Sequence, residues 1–327
     1  NTIGSNKVYS IRINPGINRG YIPKVLIQSG PHKGNLKEFT AASGNVVYRG
    51  DNFPEKFYGM SVTPEPAANL ISARSIIEKE GSLKGKELYD QAEILASTDE
   101  RFRPVNLYTA PDGTIYLLDM YHGILQHKQF VTTYLRRQIL ARDLDKNNNT
   151  MGRIYRLRWK ANKVGAQPKM EKLSALQLVK YLAHPNGWWR DTARRLISEK
   201  NDQAAVAGIR ELIINSKDER AQINALWTLH ALNAIDFATV KNALSSPHVK
   251  VRVSAIAVAE KLPLAAHQAF AMELKKIAAS NYEVALEIAL SAPSLKSPQA
   301  LEAVEISLDK FIEKKWMREA TLSGLGN

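Results

Sequence analysis

The sequence has 327 residues, a length that corresponds to about two domains, and its composition of 44% hydrophobic and 24% charged residues excludes a disordered or collagen-like chain. No apolar run approaches the ~18 residues of a membrane-spanning helix, and the lack of cysteine excludes disulfides, thiolate metal sites and haem attachment through Cys-x-x-Cys-His. The formal net charge of +13 predicts attraction to anionic partners: nucleic acid, acidic glycans, anionic lipid or acidic proteins.

The first half of the chain has the pattern of β-structure. Short segments rich in β-branched and aromatic residues are separated by Gly, Pro and Asn, at 8–13, 24–29, 45–50, 69–76 and 114–119. Strands at this spacing indicate a sandwich, a barrel or a propeller, and about 160 residues correspond to roughly three propeller blades. Since a closed propeller needs about four blades or more, we expect missing blades upstream or in another polypeptide.

A hairpin is predicted where Asp112-Gly113 lies between VNLYTA and TIYLLD. Both residues tolerate positive φ angles, so the pair predicts a type I′ turn. The strand after the turn carries mostly apolar side chains on both faces, as in a sheet packed between two others.

A helical pattern interrupts the β-structure at about 128–142, and a last strand is expected over 152–159. Residues 128–160 contain nine Lys and Arg against two Asp, which is most of the excess positive charge of the first half. Residues 161–172 have the composition of a linker.

From residue 173 to 327 the pattern is helical and repetitive. Alanines recur at matching places with spacings of 32, 30, 30 and 35 residues: Ala193, Ala225, Ala255, Ala285 and Ala320. A period of this size is typical of helix pairs that stack in a solenoid, where a small residue lets two helices approach closely. The chain starts without Met or a signal peptide and ends without a polar capping repeat, so we expect a fragment or a processed protein.

Long stretches of the sequence resemble a family of large secreted bacterial proteins. They are GINRGY (16–21) and the stretches 39–59, 63–71, 95–128 and 151–157, together with LAHPNGWWRDTARRLISEK (182–200), which is similar to the first helical repeat of that family. In this family a β-propeller similar to the quinoprotein glucose and sorbosone dehydrogenases precedes HEAT-type repeats, and a c-type cytochrome domain usually follows them.

The resemblance implies a multi-domain β + α protein. Residues 1–160 would be the C-terminal blades of a β-propeller with the helical insertion, and residues 173–327 a HEAT-like α-solenoid after the linker 161–172. The implied function is part of a periplasmic or cell-surface sugar or alcohol dehydrogenase that passes electrons to a c-type cytochrome. The intact protein would use pyrroloquinoline quinone and calcium, and the missing blades and cytochrome domain would belong to the same protein or to a partner chain.

The alternative is a non-catalytic scaffold of propeller and repeats that binds a protein partner or an acidic glycan. Nucleic-acid binding rests on charge alone and is the weakest of the three, because the basic run 128–160 lacks regularly interleaved aromatic residues.

Candidate catalytic residues lie at the end of the predicted strand 114–119. Asp119 and His122 would stand at the propeller mouth, where one of them would act as general base on a sugar hydroxyl. Alternatively, Asp119 caps the turn by accepting backbone N–H groups. His127 is a further candidate, although its spacing from His122 suits neither one strand face nor one helix face.

Candidate cofactor-binding residues are Arg101, Arg103 and Glu65. The arginines would bind a quinone or sugar-acid carboxylate, or would instead form an ion-pair network in a turn between blades. Glu65 stands between two prolines, where it is either a ligand or a residue that ties down the bend.

Two further motifs have polar or aromatic residues that could bind a ligand. The run 143–149 alternates oxygen-bearing residues as a calcium loop does, but Asn148 stands where an EF-hand needs Gly, and Ile154 where it needs an acid, so no metal site is predicted. The adjacent Trp188 and Trp189 either stack a sugar or base or pack in the helical core.

Overall fold

The computed structural model describes residues 4–11, 26–79, 81–125, 129, 131–146 and 150–326. The chain divides into two compact units. The first comprises residues 1–77 and 83–167, and the second comprises residues 78–82 and 168–327. The first unit holds nearly all of the described strands, and the second is mainly helical, which confirms the predicted mixture of β-structure followed by α-structure. The boundary at 167/168 falls inside the segment predicted as a linker.

The larger described sheet is antiparallel. Its strands are β1 (Val46–Val47), β2 (Ser61–Glu65), β3 (Leu70–Lys79), β4 (Ser82–Glu87) and β5 (Leu95–Ala96). They are ordered β1-β2-β3-β4, and β5 pairs with the first residues of β3. Val62 of β2 lies opposite Ala73 of β3, and both side chains enter the core of the first unit.

The smaller sheet has the order β6-β7-β8, with β6 (Pro104–Thr109), β7 (Ile115–Asp119) and β8 (Arg153–Leu157) all antiparallel. Alternate residues of β7, including Ile115 and Leu117, are fully buried in the same core as Val62. On the opposite face Tyr108 is 51% exposed and Ile154 is 74% exposed. The expectation of a sheet packed on both faces is therefore wrong for this part of the sheet.

The β6–β7 hairpin closes through a different turn from the predicted type I′. Of the two central residues, only Gly113 has a positive φ, at +83°. The N–H of Gly113 donates to the carbonyl of Ala110, and the N–H of Ala110 donates to the carbonyl of Thr114. Pro111 fixes φ near −65°, which favours a type I turn one residue earlier, with Gly113 as the left-handed residue that follows it. The turn therefore spans residues 110–113, one residue earlier than predicted.

Between β7 and β8 the helix α1 (Thr133–Ala141) confirms the predicted helical insertion. The side chain of Thr132 accepts a hydrogen bond from the N–H of Leu135, so Thr132 caps the first turn. Leu135 and Ile139 are buried, as their spacing predicts, whereas Phe130 lies outside the described residues.

From residue 168 to 326 the regular secondary structure of the second unit is helical. Its helices are α2 (Ala175–Leu178), α3 (Gly187–Lys200), α4 (Val206–Asn215), α5 (Glu219–Ala231), α6 (Phe237–Leu244), α7 (Val249–Val258), α8 (Leu264–Ile277), α9 (Tyr282–Ser291), α10 (Pro298–Phe311) and α11 (Met317–Leu325). Asx caps begin several of them, for example Asp218 before α5 and Asn281 before α9. The alanines that recur in the sequence at 193, 225, 255 and 285 are fully buried, and the one at 320 is 8% exposed. None of the helices described is long and apolar enough to cross a bilayer.

Candidate functional site

Arg103 is the centre of the predicted site and is only 1% exposed. Its guanidinium donates to three backbone carbonyls: Nη1 to Pro66 at 2.7 Å, Nε to His122 at 3.0 Å and Nη2 to Gly123 at 3.4 Å. A buried charge is stable only when polar partners replace its hydration, and these carbonyls do so. Arg103 therefore fastens the bend after β2 to the loop after β7.

Asp119 ends β7 and is 2% exposed. Its Oδ1 accepts hydrogen bonds from the backbone N–H groups of Arg103 and Tyr121, each at 2.7 Å. The second of these bonds holds Tyr121 in the left-handed region, at φ +46°. This geometry agrees with the turn-capping interpretation of Asp119.

The second oxygen of Asp119, Oδ2, is buried and has no hydrogen-bond partner among the described residues. Burial raises the pKa of this carboxyl group, and the bonds from Arg103 and Tyr121 oppose the rise. The guanidinium of Arg153, directly across from Asp119 in β8, lies 3.4 Å above the ring centroid of Tyr121 instead of pairing with Oδ2. Asp119 thus has one carboxylate oxygen that accepts two hydrogen bonds and one buried oxygen that accepts none from the described residues.

His122 follows in the same loop and is partly buried. Its Nδ1 lies 2.5 Å from the carbonyl oxygen of Ile124, a contact that requires the proton on Nδ1. Nε2 is then the nitrogen left as an acceptor. The backbone carbonyl of His122 accepts a hydrogen bond from Arg103, so His122 helps to hold the loop after β7 against the bend after β2. His127 lies outside the described residues.

Glu65 is fully buried at the end of β2. Its carboxylate accepts backbone hydrogen bonds from Thr40 at 3.0 Å, Ala41 at 2.9 Å and Ala67 at 3.1 Å. Burial raises the pKa of Glu65, while these hydrogen bonds lower it. The carboxylate ties two backbone segments together, in agreement with the interpretation that it stabilises the bend.

Arg101 belongs to a charged rim beside these residues. Its Nη2 donates to the carbonyl of Asp143, and its N–H donates to Asp99 Oδ1 at 2.9 Å. Glu100 forms an ion pair with Arg142. The cluster 99–101 thus holds the end of the α1 segment, as the predicted ion-pair network would.

The structure therefore brings Arg103, Asp119 and His122 into direct contact and places Glu65 next to Pro66, a partner of Arg103. Because Glu65, Arg103 and Asp119 are each at most 2% exposed, a sugar or a quinone cannot reach them in this conformation. Glu65 and Arg103, as placed, do not fit a quinone ligand set. The catalytic and cofactor-binding roles stay predictions.

A second polar cluster was not identified from the sequence. The hydroxyl of the fully buried Tyr48 donates to the carbonyl of Gly113 at 2.6 Å and accepts from the N–H groups of Asn52 at 3.1 Å and Phe53 at 2.9 Å. Asn52 in turn accepts from the N–H of Trp159 at 2.7 Å. The run YRGDNF at 48–53 is the only local signal, since three separate segments meet here.

Among the residues described, no three His, Asp or Glu side chains are placed to hold a metal ion. Residues 147–149, the last three of the run 143–149, lie outside the described residues.

Replacing Asp119 separates its structural role from a catalytic one. Asp119→Asn keeps an acceptor oxygen and removes the unsatisfied buried charge, so we expect the free energy of unfolding at pH 7 to stay within about 1 kcal/mol of wild type. Asp119→Ala leaves two buried N–H groups without a partner and should cost about 2–4 kcal/mol. Urea unfolding of both variants measures the difference, and equal losses would contradict the capping role.

The same variants should differ in their pH dependence. Because the pKa of Asp119 is raised on folding, its protonated form contributes stability below the unfolded pKa of about 4, and this is lost as pH rises through the folded pKa. Wild type should therefore lose stability relative to Asp119→Asn between acid and neutral pH. Urea midpoints for both proteins from pH 4 to pH 7 test the sign.

Comparison with known proteins gives no activity. The family model of a domain of unknown function (DUF7133) matches residues 4–161. This range covers the first unit except for residues 1–3 and 162–167. No curated protein and no solved structure matches the chain. The β-rich unit is thus similar to domains whose function is not assigned, and the function is inferred from the geometry above.

Proposed function

We propose that the chain is an interaction scaffold, in which the C-terminal blades of a β-propeller precede a HEAT-like α-solenoid at the cell surface or in the periplasm. The supporting observation is that the polar residues expected to perform chemistry, Glu65, Arg103 and Asp119, are buried and bound to backbone groups. Side chains used in this way hold loops in place, and they leave the exposed surface for recognition.

Strand β8 is the surface proposed to bind the partner. Among the residues described, it pairs with β7 alone, so one row of its backbone N–H and C=O groups is open to a further strand. Tyr155 and Leu157 pack towards the core, whereas Ile154 on the other face is 74% exposed. An exposed apolar side chain on an open edge is a favourable contact for an added strand.

The positive charge in and around β8 indicates the kind of partner that it would bind. Residues 150–160 contain four Lys or Arg and no acidic residue. Arg156 is already paired with Asp112 at 3.3 Å, but Arg158, the residue after β8, is exposed. An extended acidic segment of another protein complements this strand, while a second copy of a chain with net charge +13 would be repelled.

A charge-reversal experiment tests the proposal. Tagged wild type, the variant Ile154→Glu/Arg158→Glu and the matched control Leu140→Glu/Arg137→Glu on α1 are used to recover partners from native extract. Both variants change the net charge equally and alter exposed residues. Wild type and the control should recover the same acidic protein, which the β8 variant should lose by at least about tenfold. Equal recovery by all three proteins would contradict the role of β8.

The dehydrogenase implied by the resemblance is a second proposal, favoured by the left-handed backbone of the partly exposed Tyr121, since strained residues cluster at functional sites. In that case the propeller would oxidise a sugar or alcohol with pyrroloquinoline quinone and pass electrons to a c-type cytochrome. Titration with the quinone and calcium, followed by dye reduction with aldoses, tests it. Substrate-dependent reduction that Arg101→Met abolishes would favour the enzyme over the scaffold.

A further inference from the structure

A cavity of about 540 Å³ lies in the second unit, within the range of roughly 300–1,000 Å³ of small-molecule sites. One wall is the segment 168–172, and the other is a face of α3. The residues from α3 are Trp188, Thr192, Arg195 and Leu196. Their spacing of four, seven and eight residues from Trp188 places them on one side of the helix, so the wall is a continuous surface.

The two adjacent tryptophans have different positions. Trp189 is 8% exposed and stacks on His184, with ring centroids 4.8 Å apart, and on Tyr181 at 5.2 Å. It is a core residue. Trp188 is partly exposed, stands edge-on to Trp189 and lines the cavity. Both rings therefore contribute to packing, because Trp188 also packs against the core of the unit, and Trp188 in addition lines the cavity.

The opposite wall is anchored although it has the composition of a linker. Met170 is 4% exposed and belongs to the core of the helical unit. The N–H of Leu173 donates to the carbonyl of Met170 and closes a turn at this point. Lys169, Glu171 and Lys172 flank the anchor and are exposed, so their side chains rise from a fixed backbone around the cavity.

The residues that line the cavity offer three kinds of contact to a ligand. Trp188 offers an apolar ring surface, Lys169 and Lys172 offer positive charge, and Glu171 and Thr192 offer hydrogen-bonding partners for hydroxyl groups. Arg195 adds a third cation. Its guanidinium also forms an ion pair with Glu199, with 3.0 Å between Nη1 and Oε1. A ligand that satisfies all of them has an apolar ring face, several hydroxyl groups and an anionic substituent.

We propose that this cavity binds an acidic saccharide, a sugar that carries carboxylate or sulfate groups. A nucleotide fits less well, because the cavity has one aromatic ring rather than a series of stacking platforms. The proposal goes beyond the scaffold function proposed above and does not depend on it. Its residues all lie in the second unit and are distinct from β8.

The test uses the full chain and named probes. Trigalacturonate carries carboxylates, a sulfated disaccharide carries sulfates, maltotriose is neutral, and adenosine monophosphate represents a nucleotide. Binding is measured by tryptophan fluorescence and by calorimetry at low salt. We expect one or both acidic sugars to bind, and maltotriose and the nucleotide to bind at least about tenfold more weakly. The comparison of carboxylate with sulfate identifies the anion. No binding of either acidic sugar, or equal binding of the nucleotide, would overturn the proposal.

Matched variants locate the site. Lys169→Gln/Lys172→Gln should weaken binding about tenfold, whereas Lys200→Gln/Lys296→Gln, which removes the same charge from exposed positions outside the cavity, should change it less than about twofold. Trp188→Ala should also abolish most of the binding. Equal effects of the two lysine pairs would show unspecific attraction and would contradict a site.

The result of the saccharide-binding test can be distinguished from the result of the partner-recovery test of β8. The β8 variant Ile154→Glu/Arg158→Glu should keep its saccharide affinity. If wild type recovers an acidic protein yet binds no acidic sugar, the cavity proposal alone is wrong. If the sugar binds and no protein is recovered, the β8 proposal is wrong and the cavity stands.

Discussion

Replacing Arg103 with Met is expected to lower the free energy of unfolding of the first unit by about 3–5 kcal/mol, the largest loss from any single polar substitution considered. Met keeps most of the apolar volume but leaves the carbonyls of Pro66, His122 and Gly123 without their buried donor. The expected result follows because an unsatisfied buried polar group costs its full desolvation penalty.

Hydrogen exchange read by mass spectrometry suits this measurement, because it follows peptides of the first unit separately from those of the second. Exchange should accelerate in peptides around Pro66 and around Tyr121, whose N–H depends on the same loop. Arg101→Met is the matched control. Arg101 is partly exposed and is expected to cost less than about 1 kcal/mol. Unchanged exchange in Arg103→Met would mean that water replaces the guanidinium.

Removing one hydroxyl from Tyr48 should also have a large effect. Tyr48→Phe leaves the N–H of Phe53 without a partner, while the N–H of Asn52 and the carbonyl of Gly113 keep only their bond to each other at 3.3 Å, so we expect a cost of about 2–3 kcal/mol at pH 7. The three segments that meet here should loosen together. Tyr108→Phe is the control, because Tyr108 is 51% exposed and should lose almost nothing.

Alkaline pH offers a second measurement on Tyr48. Burial raises the pKa of its phenol to about 12, from 10.0, so the unfolded chain ionises first. The stability that neutral Tyr48 contributes is complete below about pH 10 and is lost as pH rises from there to about 12. Tyrosinate absorbance should show one late ionisation in wild type that Tyr48→Phe lacks. A titration in which the two proteins coincide would mean that this phenol is hydrated.

The order of β-structure and helices could be predicted from the sequence, because each leaves a local period. A short run rich in β-branched and aromatic residues after a turn signal predicted β7, and the spacing of Leu135 and Ile139 predicted α1. The recurring alanines at 193, 225, 255 and 285 marked buried helix faces, since only small side chains allow close approach of two backbones. These features depend on neighbours within a few residues.

The hairpin turn shows where local signals compete. Asp112-Gly113 alone favours a type I′ turn, while Pro111 favours a turn one residue earlier. The backbone follows Pro111, and Gly113 meets the segment that contains Asp51, where any Cβ would lie 2.1 Å from the Asp51 carboxylate. The choice between the two turns depends on residues more than 60 positions away, as does the bond from Tyr48 to Gly113 at a separation of 65.

By itself the sequence determined which residues are charged, which alternate and which repeat, and so it identified Glu65, Arg103, Asp119 and the tryptophan tandem as unusual. Only the tertiary structure decided what they do. Arg103 finds its partner 37 residues away at Pro66, and Trp188 faces a wall made by a segment with the composition of a linker. The physical reason is that periodicity is a property of neighbours along the chain, whereas burial, hydrogen-bond partners and cavities arise when distant segments pack.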